Sequence, residues 1–226
     1  MSDTDATIKR KDSFFDLEPR SSRVRYFFVA LILVLSLRML ENTIHELSHG
    51  LMVIVSGGSL SPDPFLITPF GGYTQWEGVP DPWLPVVNIA GTLFSVAILS
   101  AIFIPIYAKS KERKAMKWTS YWVIVILVNA IFYWFMSPFI GTADNFDPIA
   151  FANNLGISPV WIVGLVSAIP FGISVYAMIR ATKTIDDKVL GDRTYFHVKC
   201  LVFYYFISML FPVVSYLNLL DQFKWW

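Results

Sequence analysis

His45, Glu46 and His49 spell His-Glu-x-x-His within the stretch Glu41-Asn42-Thr43-Ile44-His45-Glu46-Leu47-Ser48-His49-Gly50. Residues i and i+4 share one face of a helix, so the two imidazoles can bind a single metal ion. Glu46 lies about 60° round from His49 on the helical wheel, near enough to act as a base toward a water on that ion. The same residues could instead form a polar seam between helices, with Arg38 and Glu41 as an ion pair. A seam does not need this spacing, and a charge at mid-membrane costs about 3 kcal/mol on insertion scales. The motif therefore points to a metal site.

The motif sits in an apolar run covering 26–55. At about 100° per residue, Glu41, Asn42, His45, Glu46, Ser48 and His49 occupy roughly half the circumference. Arg38 joins that face, and Ile44, Leu47 and Leu51 take the other. A polar face on a membrane-length helix turns toward a bundle or a cavity, not toward lipid. Composition agrees: 55% of the 226 residues are hydrophobic and the apolar residues come in long runs. Net charge is +1, which argues for no nucleic-acid partner. Cys200 is the single cysteine, so an intrachain disulfide and a cysteine-based zinc site are both excluded.

The expected fold is an all-α polytopic membrane protein with about five transmembrane helices and a short hairpin or re-entrant loop after the first. Residues 1–25 are polar and charged and read as a cytoplasmic tail, and 26–226 as one membrane-embedded domain. The spans are predicted at 26–55, 84–107, 118–137, 160–179 and 200–219. Gly57-Gly58 ends the first, and Pro170 is expected to kink the fourth. Between the first two spans, 64–67 and 73–76 read as short strands around Gly71-Gly72. In the second span Asn88, Gly91 and Thr92 make a small polar patch suited to helix packing. Residues 138–157 break the apolar pattern, with a short helix at 149–155. Aromatics at 195–196 and 225–226 suit the membrane interface. Lys and Arg concentrate in 1–25, 108–117 and 180–199, so the positive-inside rule places the amino terminus in the cytoplasm.

A catalytic zinc takes three protein ligands and leaves one position open. The position six residues after His49 is Val55, so a third His of the extended metalloprotease type is missing. After Glu46 the remaining Glu residues are Glu77 and Glu112, in loops that are poorly placed. That leaves an Asp, with Asp144 and Asp147 standing where the third span gives way to the fourth.

An intramembrane His-Glu-x-x-His with a distant Asp resembles the site-2 protease family, peptidase family M50. Gly71-Gly72-Tyr73 resembles the glycine-containing hairpin that follows the motif helix in that family, and implies substrate binding there. Asn88-Ile89-Ala90-Gly91-Thr92 resembles its Ala-Gly-Pro-x-x-Asn element, with Thr92 in place of proline. The stretch 141–147 stands where the family has Asn-x-x-Pro…Asp-Gly, although Asp-Gly itself and the upstream Asn are missing. Asp147 is favoured over Asp144 because Pro148 suits a first helical position and Phe151 follows four residues on, as an apolar residue does after the family's Asp. An Asp before Pro also serves as an ordinary helix cap. The resemblance implies one zinc ion on His45, His49 and an Asp, with Glu46 as base, cutting transmembrane proteins or peptides in or near the bilayer. A metal transporter and an inactive scaffold of the same fold are the competing expectations.

Overall fold

The computed structural model describes residues 14–15, 20–69, 71–110, 113–139, 147–185, 189–190 and 197–204. Helix α1 (Arg20–Val55) is followed by a hairpin of β1 (Ser59–Thr68) and β2 (Gly71–Glu77). A 3-10 turn at Asp81–Trp83 leads into α2 (Leu84–Lys109). Then come α3 (Lys114–Met136), the short α4 (Asp147–Asn154), a π-helical stretch at Val160–Val166 and α5 (Ser167–Ile185). Residues 197–204 are also helical. Among the described residues, four helices are long and apolar enough to cross a membrane: Ser21–Val55, Asp81–Lys109, Lys114–Met136 and Val163–Ile185. The protein is thus a mostly helical membrane protein. Of the fifth expected span, residues 205–219 lie outside the described residues, as do 1–13 of the expected tail and the aromatics at 195–196 and 225–226.

Helix α1 contains no proline, and its hydroxyls bond within the helix, as Ser48 Oγ does to the Ile44 carbonyl at 2.6 Å. Its end has a backbone cause. Gly57 takes φ 85°, Gly57 N–H reaches the Ile54 carbonyl, and Gly58 N–H reaches the Val53 carbonyl. Those two bonds satisfy carbonyls that the helix leaves open, and a positive φ at that position favours glycine.

The strands are longer than the sequence suggests, and Gly71-Gly72 does not form the turn between them. Both glycines lie in β2, where Gly71 pairs with Thr68 and Gly72 with Ile67. Thr68 closes the turn, its hydroxyl donating to the Gly71 carbonyl at 2.7 Å. The register is irregular between Leu60 and Phe65, where Pro62 and Pro64 offer no N–H to the ladder.

Tyr26, Ala30, Val34 and Leu37, spaced by three or four residues along α1, share one buried cluster with Trp118, Tyr121, Trp122 and Val125 of α3, which also takes in Ala181 and Ile185 of α5. Trp118 Nε1 donates to the Tyr26 hydroxyl at 2.8 Å, and that hydroxyl lies 2.9 Å from His197 Nδ1, tying the 197–204 helix to the bundle. A second cluster, Trp134, Ala152 and Val163, seats α4 with Ile89, Tyr133 and Phe151. Trp134 Nε1 also donates to Thr92 Oγ1 at 2.6 Å, joining α3 to α2. Sequence periodicity did not anticipate the π-helical turns before α5. Pro170, inside α5, withholds the N–H that would bond the Val166 carbonyl, and Val166 is where those turns end.

Candidate metal centre

Helix α1 carries the motif, and three other elements close around it. The hairpin lies along α1. Asn42 Nδ2 donates to the Thr68 carbonyl at 2.6 Å, and the Phe65 ring rests on Gly50, where a β-carbon would come within 2.9 Å of it. Helix α2 packs on the adjoining face of α1 through Val87 and Gly91, and α4 brings Asp147 from 98 residues beyond His49.

Three atoms meet. His45 Nε2 lies 2.9 Å from Asp147 Oδ2, His49 Nε2 lies 3.2 Å from the same oxygen, and the two Nε2 atoms are 3.0 Å apart. His45, His49 and Asp147 form a group that could hold a metal ion. The tautomer of His49 favours this. Its Nδ1 lies 2.6 Å from the Val87 carbonyl, which can only accept, so Nδ1 carries the proton and Nε2 presents a lone pair. Such an outer hydrogen bond is the usual way in which a ligating imidazole is oriented. A tetrahedral zinc with bonds of about 2.0–2.1 Å spaces its ligand atoms by roughly 3.3 Å, so the triangle fits after opening by a few tenths of an ångström. Burial opposes charge on Asp147, but His49 and His45 facing it in their protonated forms outweigh that and hold the carboxyl below its usual range; a metal ion would take the place of those Nε2 protons.

Glu46 is held beside the triangle by β2. Thr74 Oγ1 lies 2.7 Å from Glu46 Oε2 and 3.0 Å from the Glu46 carbonyl. Gly72, two residues earlier on the same face, lies directly against the carboxylate: a β-carbon there would be 2.8 Å from Glu46 Oε1. Glu46 and His49 are 4% and 5% exposed, whereas the side chains of His45 and Asp147 are 16% and 26% exposed. The centre therefore opens on the His45–Asp147 side. Tyr133 of α3 is near enough for the charges of Asp147 and Glu46 to act on it.

The expected residues separate as follows. His45, His49 and Asp147 come together, with Glu46 next to them; Asp144 lies outside the described residues. Gly72 lines the site from β2, Gly71 pairs with Thr68, and Tyr73 points outward at 48% exposure. Arg38 and Glu41 do form the ion pair considered for a seam, at 2.5 Å, with Ser95 Oγ of α2 donating to Glu41 Oε1 at 3.2 Å. Periodicity missed Thr74, the Val87 carbonyl and the contact of Gly91 with the imidazoles. The Gly91 patch was visible as small residues suited to packing and in the resemblance of 88–92 to a family element, but not as a wall against the imidazoles.

Compared with models of protein families, with curated proteins and with solved structures, the chain gives no match.

Proposed function

We propose that this protein is an intramembrane zinc metalloprotease of the site-2 protease type, acting on membrane-spanning or membrane-associated protein substrates. The observation that carries the reading is the meeting of His45 Nε2, His49 Nε2 and Asp147 Oδ2 beside a Glu46 held by a strand, on a helix long enough to cross the membrane.

His45, His49 and Asp147 would hold the ion. Zinc there would supply Lewis acidity, polarising a peptide carbonyl and making water acidic near neutral pH. The chain's own residues do the rest. Glu46 accepts a proton from the attacking water and passes it to the leaving amine. Thr74 and Gly72 fix the carboxylate beside the triangle. Helix α2 excludes bulk water from His49, and substrate enters from the His45–Asp147 side. The hairpin, with Tyr73 outward, offers strand edges on which an unwound substrate segment can be laid. A transmembrane substrate must unwind first, since its scissile bond is otherwise shielded by helical hydrogen bonds.

Protein purified in mild detergent and loaded with zinc tests the reading on a panel of model transmembrane substrates. Wild type should cleave at least one and Glu46→Gln none. Zinc-loaded wild type without cleavage of any member would favour a metal-binding or scaffold role.

A further inference from the structure

One wall of the metal centre has no side chain. Gly91 of α2 is buried and faces both imidazoles. A β-carbon there would lie 2.6 Å from His45 Nε2 and from His45 Cδ2, and His49 Nε2 would be in the same collision. Such separations do not occur, so something would have to shift. His49 cannot swing aside without breaking the bond from its Nδ1 to the Val87 carbonyl. Val87 is four residues before Gly91, so the Gly91 N–H points at the same carbonyl and both positions lie on one face of α2. The missing side chain at 91 thus leaves room for the ring that reaches the carbonyl at 87.

We propose that Gly91 is a positioning residue of the metal centre. Its lack of a side chain lets the α1 imidazoles lie against the α2 backbone, where the Val87 carbonyl fixes the tautomer of His49. Any larger residue displaces both Nε2 atoms from the point where they meet Asp147. The proposal rests on reading the cluster as a metal site. It differs from ordinary helix packing by a small residue, which lowers fold stability without a specific loss of metal affinity.

The test uses the full chain in mild detergent, with Zn2+ affinity measured by competition with a chromophoric chelator and ligand geometry read from the Co2+ absorption spectrum. Gly91→Ala should bind Zn2+ at least about tenfold more weakly, the scale expected when the partners orienting a ligand are disturbed. Its Co2+ bands should be altered. Gly172→Ala, a helical glycine with open space around it, should match wild type in both. A folded Gly91→Ala with wild-type affinity and spectrum would overturn the proposal. Should Gly91→Ala fail to fold, the His45→Ala/His49→Ala background decides. With both rings removed, Gly91→Ala should fold as the background does, and continued misfolding would assign Gly91 to helix packing alone. A wild-type chain that binds neither metal would refute the metal site itself, a result separable from all of these.

Discussion

His45 Nε2 and Asp147 Oδ2 lie 2.9 Å apart although 102 residues separate them in the chain. The contact depends on α4, which the Trp134–Ala152–Val163 cluster seats against the bundle. Asp147 is therefore predicted to be a ligand and not merely a helix cap. Wild type should bind one equivalent of zinc, removable by chelation, and His45→Ala and His49→Ala should lose it. Asp147→Asn should stay folded and bind zinc on the order of 100-fold more weakly or worse, beyond the effect of losing an outer partner. Asp144→Asn should keep metal and activity. Loss of a cap alone would cost about 1 kcal/mol of stability and leave zinc in place. Metal analysis beside thermal unfolding separates the two roles.

Glu46 lies beside the ligand triangle, held by Thr74 at 2.7 Å. Glu46→Gln should keep stoichiometric metal and lower the rate of cleavage by about 10²–10⁴-fold, the range of a lost general base. A Gln variant that loses its zinc would make Glu46 a ligand and remove this assignment.

The bond from Thr74 has a separate consequence. Thr74→Val keeps the β-branched shape and removes the hydroxyl, so the strand should persist while the carboxylate loses its anchor. A hydrogen bond to a charged group contributes about 1.5–3 kcal/mol, which sets an expected fall in kcat of roughly 10–100-fold if that bond persists to the transition state. Thr74→Ser should recover most of it. Equal activity of the Val and Ser variants would leave Thr74 with no part in placing the base.

The contrast between Glu46 and Thr74 shows how far the sequence could be read. His45, Glu46 and His49 are four residues apart or closer, so helical periodicity alone puts them on one face. The apolar runs likewise announce the spans, because the bilayer fixes their length and character. Asp147 was visible as part of a polar break, and Pro148 and Phe151 favoured it over Asp144, but nothing local separated a metal ligand from an ordinary helix cap. Thr74 and the Val87 carbonyl were illegible, and Gly72 was legible as part of a hairpin but not as a neighbour of Glu46. Each acts through a neighbour fixed by how the hairpin or α2 docks on α1, and an isolated Thr or Gly in a strand carries no sign of what it will face. The glycines at 71 and 72 misled for the same reason: read locally they are turn residues, whereas the hydroxyl of Thr68 closes the turn.

The basic residues of 1–25, 108–117 and 180–199 predict the orientation of the chain. In a Cys200→Ser background, a membrane-impermeant thiol reagent added outside should label Glu77→Cys, at the exposed end of β2, and Asn154→Cys, at the exposed end of α4. It should not label Lys111→Cys until the membrane is opened. Labelling of Lys111→Cys alone in intact cells would invert the topology and move the hairpin to the cytoplasmic side.

His197 predicts a pH dependence that is independent of the metal centre. Its ring is fully buried between Tyr121 and Trp122, with centroids at 5.0 and 5.5 Å, and Tyr26 closes a third side at 6.3 Å. Trp118 Nε1 donates to the Tyr26 oxygen, and the Tyr26 hydroxyl can donate in turn to His197 Nδ1, an arrangement suited to a neutral ring protonated at Nε2. Burial pushes its pKa down to about 4 from the usual 6.5. In the unfolded chain the ring takes a proton as pH falls through about 6.5, while in the folded protein it stays neutral until about 4. The unfolded state then binds more protons across that window, so stability is complete above about pH 6.5 and declines as pH drops toward 4, by on the order of 3 kcal/mol in all. His197→Gln keeps a polar side chain of similar reach and cannot take up the proton. Wild type and variant share His45 and His49, so those groups cancel in the comparison. Thermal unfolding at pH 7 and pH 5 should therefore show a larger loss for wild type than for His197→Gln. Equal losses in the two proteins would mean that the buried ring does not govern acid stability.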